Sequence, residues 1–190
     1  MRPVLAITLS ILLTLSPVTA WADISFAGLA RLASSPDQLQ GRFRQEKYLG
    51  ALDTSLLSSG RFSYRRGESI RWEILEPIQN ELVITPSGLS SRQGDNELLR
   101  IDARSNPGAA ILGEIMFAVL SADWSRLEQY FELSGDIDGQ QWRALLQPRD
   151  AVIGQVINQV ELRGADLLRV IVLHEHGGDR TTIHLDVPEG

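Results

Sequence analysis

The chain has 190 residues, no cysteine, and 24 acidic against 18 basic residues, for a net charge of −6. The missing cysteine excludes disulfides, thiolate metal sites and a thiol nucleophile, and the acidic balance, with no run of Lys and Arg, excludes the basic stripe that nucleic acid requires. This length suits a single domain that buries roughly two thirds of its unfolded surface.

Arg2 precedes an apolar run from Val4 to Leu15, then Ser16-Pro17 and Ala20-Trp21-Ala22, a small-x-small cleavage site. The pattern predicts a cleaved signal peptide over residues 1–22 and a soluble, exported chain over 23–190. The run is too short for a bilayer, which takes roughly 20 residues. Cleavage removes Arg2 and no acid, so the net charge moves from −6 to −7. Such a chain gains no general attraction to anionic lipid surfaces.

The first exported segment puts Phe26, Leu29, Ala30 and Ala33 at helical spacing and stops at Ser34-Ser35-Pro36, which predicts a short amphipathic helix. From Gln40 to Asp102 the period becomes two, with turn signals at Gly50, Gly60, Gly67, Pro77, Pro86-Ser87-Gly88 and Gly94-Asp95-Asn96. In the clearest strand, Ser69 to Leu75, Ile70, Trp72 and Ile74 share one face and Arg71 and Glu73 the other. That alternation fits an antiparallel sheet covered on a single side.

Gly108 to Leu120 breaks the rhythm with a helix apolar almost all round, Glu114 being its one charge. A second helix is predicted over Asp123 to Tyr130, capped by Asp123, with Trp124, Leu127 and Phe131 on one side. Strands return at Phe131–Ser134, Gln141–Gln147, Ile157–Arg163, Leu167–His174 and Arg180–Leu185, separated by Gly135, Asp138-Gly139, Pro148, Gly164 and Gly177-Gly178. Leu167 to Leu173 is apolar on both faces and should be covered on each or sit where the helices cross it. About ten strands and two or three helices make an α+β domain, a strongly curved antiparallel sheet whose concave face must be filled.

Catalytic signatures are missing: no nucleophile elbow, phosphate loop or metalloprotease helix occurs, so no enzyme and no cofactor are expected. His174 and His176, two apart on a predicted strand, could join His184 or Asp179 around a metal, but a solvated turn explains them better and no metal site is expected.

Three blocks carry a family resemblance. They are Gly41-Arg42-Phe43-Arg44-Gln45; Gly60-Arg61-Phe62-Ser63-Tyr64-Arg65-Arg66 with Ile70-Arg71-Trp72-Glu73 and Glu76-Pro77; and Gln141 to Pro148 with the late hairpin Gly178 to Ile183. Over nearly all of residues 23–190 the chain resembles the outer-membrane lipoprotein carrier family, the LolA type. The resemblance implies an open half β-barrel lidded by helices, whose cavity shields lipoprotein acyl chains as they cross the periplasm. It also implies an inner-membrane ATP-driven transporter and an outer-membrane acceptor as partners, and a monomer as the working state. Arg66, six residues before Trp72, matches the family's lid latch. The implied cavity and lid lining comprises Phe43, Phe62, Ile70, Trp72, Ile74, Ile111, Ile115, Met116, Phe117 and Trp142; strand aromatics such as these more often simply fill a core.

Two departures bear on the cargo. Leu89-Ser90-Ser91-Arg92 lacks the family's usual aromatic pair, and Pro188-Glu189-Gly190 closes the chain without the family's terminal strand and tail. A glycolipid or pigment lipid therefore stands beside lipoprotein as cargo. The rival functional classes are an envelope sensor that binds acylated molecules and signals through a protein partner, and a small lipid-modifying or metal-dependent hydrolase, for which only the two histidines speak.

Overall fold

The computed structural model describes residues 24–34 and 36–188, so the predicted signal peptide lies outside the described residues. The expected curved sheet is present as one antiparallel sheet of eleven strands, in the order β6-β5-β4-β3-β2-β1-β11-β10-β9-β8-β7. The period-two region resolves into β1 (Gln38–Leu49), β2 (Thr54–Arg65), β3 (Ser69–Glu76), β4 (Asn80–Thr85), β5 (Gly88–Gln93) and β6 (Asn96–Asp102). After the helices come β7 (Phe131–Asp138), β8 (Gln141–Pro148), β9 (Ile157–Gly164), β10 (Leu168–Glu175) and β11 (Arg180–Asp186). Each half is a meander of neighbouring strands, and the long-range pairing of β1 with β11, Phe43 opposite Leu185, welds the halves together. β6 and β7 form the two edges, so the sheet is not closed.

Three helices bridge that opening. In α1 (Phe26–Leu32) the Ser25 hydroxyl accepts a hydrogen bond from the Gly28 amide at 3.1 Å, and Phe26 and Leu29 are buried. α2 (Pro107–Leu120) packs beside β5 near one edge, and α3 (Trp124–Tyr130) packs beside β7 at the other. α3 contacts both α1 and α2, so the helices form one continuous cap over the inner face. Asp123 caps α3 as predicted, accepting from the Arg126 amide at 3.1 Å. A further single turn, α4 (Ala151–Gly154), is capped by Asp150 and buries Ile153; four residues are too few to show a period, which is why the sequence hides it.

Two glycines read as turns are something else. Gly60 lies inside β2 opposite Phe43, where a Cβ would come within 1.8 Å of the Glu73 carbonyl oxygen. Gly135 lies inside β7, which runs on to Asp138, and its φ of +141° with a Cβ position 2.0 Å from the Arg143 oxygen admits only glycine. Both are places where neighbouring backbone comes too close for a side chain, and such glycines permit bends within a strand.

The apolar strand also resolves differently on its two faces. Ile171 joins the core under the helices, whereas Val172 is buried on the outer face between its cross-strand neighbours Glu161 and Thr182. Long polar side chains of adjacent strands can shield such a residue without a second covering layer.

Candidate functional site

Register fixes which side chains meet beneath the cap. Phe62 lies opposite Trp72, and Tyr64 opposite Ile70, so the alternation within β2 and β3 sends all four inward together. Phe43 follows from β1, its ring stacked on Trp72 with centroids 4.0 Å apart, and Phe62 flanks the same indole at 5.6 Å. All ten residues of the expected cavity and lid belong to one apolar cluster. Phe43, Phe62, Ile70, Trp72, Ile115 and Trp142 are buried in it, and Ile74, Ile111, Met116 and Phe117 are half-buried against it.

The helix α2 lies on this aromatic floor. Phe117 meets Tyr64 with ring centroids 6.0 Å apart, and the C-terminal part of the helix is buried. Toward its N-terminus the helix emerges, leaving Leu112 43% exposed. Its lone charge is explained by α3: the Tyr130 hydroxyl donates to the Glu114 carboxylate at 2.5 Å, and Arg126 stands 3.8 Å from it. The hydrogen bond to Glu114, helped by partial burial, raises the Tyr130 pKa. α2 and α3 are thereby tied into one unit.

Beside α2 a 360 Å³ depression opens between Tyr64, Phe117, Gly113, Arg66 and the end of β4. That is at the small end of ligand-sized cavities, roughly 300–1,000 Å³. Arg66 sits on this rim, where its Nε donates to Asp37 at 2.8 Å and a terminal nitrogen donates to the Pro36 carbonyl at 3.0 Å, binding β2 to the segment that links α1 with β1.

Sequence reasoning missed Tyr64, Trp124 and Leu127 as members of the site. Tyr64 was available from the same alternation that exposed Phe62. Trp124 stands edge-on to Trp142, centroids 5.2 Å apart, a contact between residues on different elements that no local pattern announces. Trp142 itself is held by a 2.6 Å hydrogen bond from its indole nitrogen to the Ala165 carbonyl.

The histidines do not assemble. β10 ends at Glu175 after a register shift, so His176 lies in a 3₁₀ turn rather than beside His174 on one strand face, and its ring meets the Gly154 carbonyl. Among the described residues no three His, Asp or Glu side chains converge as metal ligands.

The architecture is thus an open antiparallel sheet whose apolar inner face is capped by a helix unit. The chain belongs to the outer membrane lipoprotein carrier protein LolA family, whose profile matches residues 34–189. It is 33% identical to an outer-membrane lipoprotein carrier protein of Alkalilimnicola ehrlichii over 187 residues, covering 97% of this chain and 83% of that one. Among solved structures it resembles a LolA superfamily protein from Nitrosomonas europaea, with a TM-score of 0.47 and 8% identity over 86% of this chain and 92% of the other. It also resembles a chain in the Pseudomonas aeruginosa MucA/MucB complex, with a TM-score of 0.44 and 18% identity over 78% of this chain and 50% of that one.

Proposed function

We propose that this chain is a non-enzymatic periplasmic carrier that shields the acyl chains of lipoproteins between the inner and outer membranes. The supporting observation is α2, a helix apolar on nearly every side that lies against a buried aromatic floor and is itself only partly buried, Leu112 standing 43% exposed. A helix of that composition needs either a permanent core or an apolar guest to share its surface with.

The energetics favour an exchange. Each methylene withdrawn from water contributes about 0.8 kcal/mol, so lipid chains need a container to cross an aqueous compartment. A carrier that held them too firmly would never release them, since each ~1.4 kcal/mol is a factor of ten in affinity. When α2 occupies the inner face in the empty state and cargo displaces it, only the difference between the two burials appears as affinity. Arg66 serves as the latch of the empty state through its bonds to the α1–β1 segment. The domain is residues 23–190 after cleavage, acting as a monomer, loaded by an ATP-driven inner-membrane transporter and relieved by an outer-membrane acceptor.

Native mass spectrometry of the protein purified from periplasm tests this reading. A bound acylated protein or diacyl lipid is the expected result. Protein that is lipid-free from the periplasm, and that binds no fluorescent acyl probe in solution, would overturn it.

A further inference from the structure

A broad depression lies on the far side of the sheet from the helices. It occupies 880 Å³ over β10, β11, β1, β2 and the end of β3. Its charged lining is four arginines, Arg42, Arg44, Arg61 and Arg169, against the two carboxylates of Glu76 and Asp186. On a chain whose net charge is −6, this groove concentrates positive charge where the rest of the molecule is acidic.

Two of the arginines already have partners: Arg61 donates to Glu73 at 2.7 Å, and Arg169 donates to the Val187 carbonyl at 2.9 Å. Arg42 and Arg44 are exposed, and among the described residues neither makes an ion pair or a side-chain hydrogen bond. Arg42 moreover stands directly opposite Arg61 across the β1–β2 ladder. Like charges in that position destabilise a sheet. On its other side Arg42 stands opposite Asp186 of β11, and Arg44 opposite His184, so β1 presents two guanidinium forks on one face, two residues apart.

We infer that this groove binds an acidic, extended segment of a partner protein, with Arg42 and Arg44 each receiving a carboxylate. Residues i and i+2 of a strand are separated by about 6.5 Å on one face, the same spacing as alternate side chains of an extended peptide. Guanidinium groups engage carboxylates through paired hydrogen bonds, which gives orientation as well as attraction. Leu75 and Val170 supply apolar floor beneath such a segment. The guanidiniums line a recess rather than a protruding face, so a narrow peptide reaches them where a flat bilayer does not. The acidic remainder of the chain also opposes an anionic bilayer. Because the groove lies on the face opposite the helical cap, a partner could hold the protein there while cargo enters or leaves beneath α2.

The probe is a fluorescein-labelled heptapeptide alternating glutamate and serine, titrated with the full exported chain and read by anisotropy. Expected are binding that weakens as salt rises, a loss of about tenfold or more in Arg42→Ser/Arg44→Ser, and a change within about twofold in the exposed control Arg92→Ser. The double variant should melt close to the parent, because it relieves the Arg42–Arg61 opposition and gives up the facing Asp186 in the same step. Equal peptide affinity in the double variant and the parent would overturn the inference. So would no peptide binding at all, or arginine-dependent binding of phosphatidylglycerol vesicles in place of the peptide.

Discussion

A disulfide between α2 and β4 tests whether the cap must move. A Cβ built on Gly113 would lie 3.4 Å from Cγ2 of Ile84, which puts the two Cβ atoms no more than about 5 Å apart, near the roughly 3.5–4.5 Å of a disulfide. The chain has no cysteine, so Gly113→Cys with Ile84→Cys creates a single possible bridge. It closes a loop of about 30 residues, for which the chain-entropy relation gives about 3.6 kcal/mol of stabilisation of the oxidised over the reduced variant. At roughly 2–4 °C per kcal/mol, the melting temperature should rise by roughly 7–14 °C on oxidation. Comparing oxidised with reduced protein cancels the loss of packing at Ile84, which is 3% exposed. If α2 must leave the inner face before hydrocarbon enters, a bridge that lowers the population of the open form about 100-fold weakens acyl-probe binding by the same factor, and reductant restores it. Fluorescence titration with an acyl probe, with bridge formation verified by mass spectrometry, makes the measurement. An oxidised variant that binds within about twofold of the reduced one would refute the displacement of α2.

Three other outcomes follow from the same geometry. Burial pushes the Glu161 carboxyl up, but hydrogen bonds from Arg143 and Arg163, the latter 2.6 Å away, outweigh this and hold its pKa below the ordinary value. The folded state thus takes up its proton later than the unfolded chain, so Glu161 stabilises the fold above the ordinary glutamate value of about 4.3 and loses that effect as pH falls below it. Glu161→Gln should therefore melt lower than the parent at pH 7, with the gap narrowing in acid; a gap independent of pH would contradict the assignment. Gly60→Ala forces a methyl against the Glu73 carbonyl and should lower stability by at least the roughly 1–3 kcal/mol of overpacking, seen as a lower urea midpoint, whereas Gly94→Ala, at a turn with nothing within 4 Å of its Cβ position, should show only the smaller cost of its positive φ. If Arg66 is the latch proposed above, Arg66→Ala should tighten acyl-probe binding by removing its bonds to Asp37 and Pro36, and unchanged affinity would dismiss the latch.

Local patterning carried much of this molecule. The alternation of Ile70, Trp72 and Ile74, the all-round apolar run after Asn106, and the cap at Asp123 each depend on neighbours a few residues away, so strands, lid helix and helix start were legible from the chain alone. The aromatic floor was legible for the same reason, since residues two apart on a strand share a face. Tertiary contact decided the rest. Gly60 and Gly135 look like turn residues until the carbonyl of the adjacent strand is seen occupying the place of a side chain. His174 and His176 look paired until a register shift at the end of β10 parts them. The basic groove exists only because β1 pairs with β11, which brings Arg42 and Arg44 beside residues far along the chain. Period and capping are short-range properties of a sequence, whereas register, backbone proximity and the gathering of charge across strands arise only when distant segments pack.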